Sequence, residues 1–204
     1  MSQRRRMRPE IRRKQILDTA VRFFRTVGYE AASLRDLAAD VGINKATIYH
    51  YFKSKEEILF HIIDDVGESL LRGLREERAK NSDPLDGLEA MVRFQIGYME
   101  GHLEEIKVIV EEQKSLGSEL AERTRVTQGK ILELYEKTLT ECMDKGLVRR
   151  VHLATAAFSI LGHINWLYQW YKPTGALTIS QLTEEIVSIL REGLFLRKGG
   201  QGEG

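Results

Sequence analysis

Residues 33–57, SLRDLAADVGINKATIYHYFKSKEE, constrain this chain more than any other stretch. Ser33 offers a side-chain oxygen to the unpaired amides of a helix start, and Asp36, three residues on, adds favourable negative charge there. Leu34, Leu37, Ala38 and Val41 then recur at helical spacing as one buried stripe. Gly42 permits a sharp turn, Ile43 fills the angle behind it, and Asn44 can cap a short helix over Lys45–Tyr51. Ser54 and Glu57 stand at capping-box spacing and start another helix. Two short helices joined through one glycine form a helix-turn-helix. In its second helix Ile48 faces inward with Phe52, which leaves Lys45, Ala46, Thr47, Tyr49 and His50 facing out. An exposed helix this short, carrying two aromatics, calls for a partner. The alternative for Tyr49 and Tyr51 is that they shield the core.

The rest of the chain has the composition of an all-α protein. It holds 204 residues, 42% of them apolar, with three prolines and long runs rich in Glu, Lys, Arg, Leu and Ala, and it has no convincing alternating strand. The net charge of +1 is unevenly spread. Residues 1–60 carry 13 Lys and Arg against 7 Asp and Glu, whereas residues 61–204 carry 18 against 23. A basic front and an acidic back fit a polyanion that meets only the front, although a solvated face accounts for the same charges. Cys142 is the only cysteine, so an intrachain disulfide or a thiolate metal site is excluded and a reducing compartment is expected. The first residues, MSQRRRMRPEIRRK, lack the apolar stretch of a secretion signal, and no uncharged run is long enough to span a bilayer. The expected location is the cytoplasm, with no membrane partner.

Read in order, the chain opens on an arm carrying Arg4, Arg5, Arg6 and Arg8, expected to be disordered when free and able to enter a minor groove. The other reading is a solubilising tail. Pro9 suits a first helical turn, and a first helix is expected to end at Gly28. The helix opened by Ser54 keeps its apolar stripe through Ile58, Leu59, Ile62, Ile63, Val66, Leu70 and Leu74, long enough to link two domains. Pro84 starts the next helix, to about Gly101; others follow over 103–116 and from Gly117-Ser118 to about Lys145. Residues 152–172, HLATAAFSILGHINWLYQWYK, are apolar almost all round a helix and need burial on more than one face. Phe158, Leu161, Asn165, Tyr168, Gln169 and Lys172 fall on one side of it, Ile160, His163, Ile164, Leu167, Trp170 and Tyr171 on another, with Trp166 between. Ser180 can cap a last helix with a stripe from Leu182 to Leu194, and the tail from Lys198 is Gly-rich and expected to be disordered. That makes about nine helices.

At these positions the chain resembles the TetR family of transcriptional regulators: Gly28-Tyr29 before Ser33, Leu37-Ala38 through Gly42-Ile43, Thr47-Ile48-Tyr49 with Tyr51-Phe52, and Ser54-Lys55-Glu56. The resemblance covers about residues 10–60. It implies a three-helix DNA-binding domain over residues 1–57, joined by a long fourth helix to a ligand-binding and dimerisation domain over 58–197. It also implies a homodimer through helices 8 and 9 on a palindromic operator. Carried over position by position, Arg35, Lys45, Ala46, Tyr49 and His50 match places that reach base edges or the groove wall. Ser33, Thr47, Tyr51 and Lys55 match phosphate-contacting places, which suits hydroxyls and ammonium groups near helix starts. His50 departs from the larger aromatic that is common there.

The segment Asn165-Trp166-Leu167-Tyr168-Gln169-Trp170-Tyr171, followed by Lys172-Pro173 and Gly175, resembles the branch of the family that senses acyl-CoA thioesters, including repressors of fatty-acid and steroid degradation. An acyl-CoA needs an apolar tunnel and cations for its phosphates. Phe94, Leu103, Ile106, Val110, Phe158 and Leu161 are candidates for the tunnel, Arg93, Lys107 and Arg123 for the phosphates; Trp166 stands beside them. Asn165 and Gln169, one turn apart in an apolar helix, are amides expected to be buried and to need partners, across a dimer or in the pocket. The competing effector is a hydrophobic cationic drug or dye, with control of efflux. It would stack on Trp166 and Trp170 and call on Glu100, Glu104 or Glu112. An enzyme is not expected: the histidines are scattered, and nucleophile motifs, metal-ligand spacings and Gly-rich phosphate loops are absent. No catalytic residue, metal or cofactor is assigned.

Overall fold

The structure is a computed structural model that describes residues 8–192. The arm with Arg4, Arg5 and Arg6 and the tail from Lys198 lie outside the described residues. In chain order the elements are α1 Pro9–Val27, α2 Leu34–Val41, α3 Lys45–Tyr51, α4 Lys55–Lys80, α5 Pro84–Glu100, α6 Leu103–Glu112, α7 Ser118–Asp144, α8 Leu153–Trp170 and α9 Ile179–Glu192. A 3-10 turn, Gln113–Ser115, follows α6. Among the described residues every regular element is helical, as the composition implies.

Contacts divide the chain into two units. The first runs to Arg72 and takes in His102–Ile131; the second comprises Gly73–Gly101 and the chain from Leu132. The unit with the helix-turn-helix therefore also contains most of α4, all of α6 and the first half of α7. Its core joins Ile16, Ala20 and Phe24 of α1 to Leu37 and Ala38 of α2, to Ile48 and Phe52, and to Ile58 and Leu59 of α4. Val108 of α6 belongs to the same core. Polar ties brace it at the edges. Arg25 donates to Glu111 at 2.8 Å and to Glu104 at 3.4 Å, Arg13 reaches Asp65 at 3.1 Å, and the Gly117 amide donates to Glu56 at 2.6 Å. The half-exposed ion pairs among these contribute little each; their value is in fixing α6 and α4 against α1.

The second unit packs α5 against α8 and α9, with the latter half of α7 completing the core. Met91 and Ile96 of α5, Tyr135 and Cys142 of α7, Ala157 and Ile164 of α8 are all essentially inaccessible. Phe94 lies directly over Gly73, where a Cβ would stand 2.0 Å from the ring, so only glycine allows this approach. Burial pushes the Cys142 thiol up, consistent with a small apolar role.

Three expectations from the sequence are corrected here. The last helix is capped by Thr178, not Ser180. Thr178 Oγ1 accepts the Gln181 amide at 3.2 Å while Gln181 Oε1 accepts the Thr178 amide at 3.0 Å, and this reciprocal box outweighs a lone serine. The helix at 103 stops at Glu112 and tightens into the 3-10 turn, instead of reaching 116. Lastly, α8 has one buried face, with Ala157, Ile160, Leu161, Ile164, Leu167 and Tyr168. Phe158, Gly162, His163, Asn165, Trp166, Gln169 and Trp170 are exposed, so both sides drawn from the periodicity mix buried and exposed residues.

Candidate nucleic-acid interface

The short helix α3 is held by its caps. At the end of α2, Gly42 adopts φ 76°, and the Ile43 amide donates to the Ala38 carbonyl at 2.9 Å, which turns the chain sharply. Asn44 Oδ1 then accepts both the Thr47 amide at 2.7 Å and the Thr47 hydroxyl at 2.8 Å. Ile48, wholly buried, and Phe52 anchor the helix from below. This leaves Lys45, Ala46, Tyr49 and His50 exposed on α3. The Lys45 ammonium lies 5.7 Å from the centre of the Tyr49 ring, and no acidic residue occupies the first turn to cancel its charge. An α-helix is about 10–12 Å across with its side chains, which fits a major groove about 12 Å wide.

The remaining nominated residues lie around this helix. Arg35 is exposed on α2, and Tyr51 is half-buried, its ring meeting His50 edge-on at 5.5 Å. Ser33 donates to Asp36 Oδ2 at 2.6 Å and accepts the Asp36 amide at 3.2 Å, the N-cap expected of it. Lys55 is more committed than its sequence suggests. Its ammonium donates to the carbonyls of Tyr29 at 2.8 Å and Glu30 at 2.9 Å and sits 4.6 Å from the Tyr29 ring centre. Burial, then the charges of Glu56, Glu30 and Glu112, push the Tyr29 phenol up to about 12. Ser33, Thr47 and Lys55 thus use donors internally, and a phosphate would have to share or replace those bonds. At Ser54 half of the expected capping box forms: the Glu57 amide donates to Ser54 Oγ at 3.0 Å, but Glu57 Oε2 accepts the amide of Lys53, one residue before the cap, at 2.6 Å.

The twelve residues nominated for an effector fall into the two units. Leu103, Ile106, Lys107 and Val110 on α6 and Arg123 on α7 lie in the first; Arg93, Phe94, Phe158, Leu161, Asn165, Trp166 and Gln169 lie in the second. Several are engaged or turned outward. Arg93 pairs with Glu184, Lys107 with Glu104 at 2.9 Å, and Phe158 and Trp166 are 58% and 61% exposed. Arg123 stacks over Phe60 at 4.3 Å. Asn165 and Gln169, expected to be buried, are exposed. The buried amide is Gln95, whose Oε1 accepts the Tyr135 hydroxyl at 2.9 Å and whose Nε2 donates to Asn165 Oδ1 at 3.4 Å. Burial drives the Tyr135 phenol far above its ordinary value, so it stays a donor.

A cavity of about 840 Å³ lies within the second unit, between α5, the end of α7, the first half of α8, and α9. None of the twelve nominated residues lines it. Sequence reasoning missed it because its walls come from four helices and the 145–152 connection, whose only common signal is a set of ordinary apolar stripes.

A short capped helix presented by a three-helix base, in a chain that carries a second helical unit, is the architecture of a DNA-binding regulator. The chain belongs to the TetR family. Residues 16–62 match the pattern of the bacterial regulatory proteins of the tetR family, and residues 81–194 match the tetracyclin repressor-like C-terminal domain. Among its relatives is the HTH-type transcriptional repressor KstR2 of Rhodococcus jostii (strain RHA1), 28% identical over 185 residues that span 90% of this chain and 91% of that protein. Among solved structures, AibR in complex with isovaleryl coenzyme A and operator DNA is 30% identical with a TM-score of 0.80, covering 90% of this chain and all of that one. The TetR family regulator PfmR from Thermus thermophilus is 28% identical with a TM-score of 0.83, covering 89% and 99%. These relatives are transcriptional regulators rather than enzymes. Among the described residues no helix is long and apolar enough to cross a membrane.

Proposed function

We propose that this chain is a homodimeric transcriptional repressor that leaves a palindromic operator when an acyl-CoA occupies its C-terminal domain, and that it acts in the cytoplasm on genes of lipid or related catabolism. The observation that carries the effector is the likeness, at 30% identity over nearly the whole chain, to a regulator solved with both an acyl-CoA and operator DNA. The similarity to KstR2 supports the same branch. Residues 1–57 would read the DNA and 58–197 would receive the effector and dimerise. Arg35, Lys45, Ala46, Tyr49 and His50 would reach the groove, Ser33, Thr47, Tyr51 and Lys55 would hold the backbone, and the arm with Arg4, Arg5 and Arg6 would enter the minor groove.

The dimer would form through α8 and α9. Phe158, Trp166 and Trp170 are each more than half exposed on one helix, an apolar surface that a second copy would cover. Two copies related by a two-fold axis would set their α3 helices about 34 Å apart, one turn of DNA, and an effector that favours another spacing would release them. The drug or dye reading has less support. Of the acids it would call on, Glu104 is engaged by Arg25 and Lys107, Glu100 accepts the Tyr171 hydroxyl at 2.7 Å, and Glu112 is within 3.5 Å of Ser115 Oγ.

A thermal-shift panel separates the two. A ligand that binds only the folded state adds about 2.7 kcal/mol at a hundred times its Kd. Acyl-CoAs should raise the melting temperature of the full chain and cationic dyes should not. Stabilisation by dyes alone would end the acyl-CoA reading.

A further inference from the structure

Two helices run from one unit into the other: α4, which passes the division after Arg72, and α7, which passes it after Ile131. They make the passage differently. On α4 the crossing turn is packed, with Leu71 and Leu74 buried and the Phe94 ring seated on Gly73, so the glycine there answers to a close approach. On α7 the last buried side chain before the division is Thr127, and the next is Tyr135. Residues 128–134, about two helical turns, bury none.

Both ends of this stretch are fixed. Thr127 Oγ1 donates to Glu68 Oε1 at 2.8 Å, and α4 comes so near that a Cβ on Gly67 would stand 3.2 Å from Thr127 Cγ2. At the other end the buried Tyr135 hydroxyl donates to Gln95 at 2.9 Å. Between these clamps lies Gly129. It is exposed, a Cβ there would meet nothing within 4 Å, and its φ is not positive, so neither packing nor backbone conformation calls for glycine. Glycine in a helix interior loses more freedom on ordering than any other residue and weakens the helix relative to alanine. Gly97 and Gly162 are as open, but each stands well within one unit beside a buried neighbour, Ile96 or Leu161. At 129 the glycine, the missing burial and the passage between units coincide. A helix held at both ends, with few buried contacts between, opens locally at that point first.

We propose that α7 hinges at Gly129: residues 128–134 open more readily than the turns on either side, and the effector signal reaches the DNA-reading unit through that freedom. The second half of the proposal rests on the effector reading; the hinge itself does not.

Amide hydrogen exchange on the full chain, followed by peptide mass spectrometry, tests the hinge without any ligand. Peptides over 128–134 should exchange faster than those over 120–127 and 135–142, and Gly129→Ala should slow them about fivefold, the helix cost of one glycine. Uniform protection along α7, or no slowing in the variant, overturns the hinge. The signal is read as the ratio of operator affinities without and with dodecanoyl-CoA, by anisotropy. Gly129→Ala should shrink that ratio by up to about fivefold, and an unchanged ratio overturns the hinge's part in release. Lys130 is exposed, so Gly129→Ala combined with Lys130→Gly moves the glycine one residue along and should restore both readouts. Failure to restore them would show that the added methyl group itself blocks a ligand or a partner, which also overturns the proposal. A wild type whose operator affinity ignores dodecanoyl-CoA sinks the effector reading and the hinge's part in it, while the exchange result still decides the hinge.

Discussion

Removing one oxygen at Tyr135 tests the buried polar link of the second unit. Tyr135 is inaccessible to solvent and Gln95 only 5% exposed, and the Tyr135 hydroxyl donates to Gln95 Oε1 at 2.9 Å. Tyr135→Phe leaves that amide oxygen buried without its donor. An orphaned buried polar group costs about 1–3 kcal/mol. For a chain of this size each kcal/mol moves the melting temperature by about 2–4 °C, so a fall of about 2–12 °C is expected by calorimetry at neutral pH. Pairing it with Gln95→Met removes the orphan along with its partner, so the double variant should lose clearly less than the sum of the two singles, a coupling of about 0.5–3 kcal/mol. Gln95→Met would also release Asn165, whose Oδ1 accepts the other end of the amide at 3.4 Å, and this bond is long enough to contribute little. If Tyr135→Phe melts with the wild type, or the two changes add, the hydroxyl is not satisfied by Gln95 and the description of this core is wrong.

Other consequences concern the reading helix, the glycine contact and pH. Asn44→Ala removes the acceptor for both Thr47 donors and should weaken operator binding by about 1 kcal/mol, while Asn44→Ser, which still caps, should lose less; fluorescence anisotropy measures both. Lys45→Ala should lower the slope of log affinity against log salt by about 0.9 if Lys45 meets a phosphate, whereas an unchanged slope with altered base preference would place it on a base edge. Gly73→Ala pushes a Cβ into Phe94 and should cost about 1–3 kcal/mol in urea unfolding, with Phe94→Leu restoring part of it. Burial, and secondarily Arg13, hold the His61 imidazole below its ordinary value. The unfolded chain therefore binds the proton first as pH falls, and stability should drop from about pH 6.5 downward, less so in His61→Gln.

How much could be read from the sequence depended on whether a feature was local. The helix over Lys45–Tyr51, the Ser33 and Asn44 caps, the turn at Gly42 and the side-chain cap at Ser54 each follow from residues within a few positions of one another, and each stands in the structure as read. Thr178 is local too, since Thr-x-x-Gln is a capping box, but Ser180 lies nearer the apolar stripe and competes for the same role. What failed was long-range. Periodicity shows that residues 152–172 are apolar round most of a helix, but it cannot say which side meets α5. Asn165 and Gln169 therefore read as buried amides, while Gln95, set in an apolar stripe 70 residues before Asn165, gives no sign of its burial. Lys55 looks like a surface cation, and the two carbonyls that hold it sit 25 and 26 residues away at Glu30 and Tyr29. The cavity belongs to the same class, because no single helix carries its signature.

The central claim is that one ligand class governs the grip of α3 on DNA. It is tested most directly by titrating the full chain against a duplex that it has itself selected from a randomised pool, with and without saturating acyl-CoA, and following anisotropy at fixed salt. The account predicts that acyl-CoA lowers operator affinity about five- to 150-fold, a coupling of about 1–3 kcal/mol, and that free CoA does not. Unchanged operator affinity with acyl-CoA demonstrably bound would contradict it.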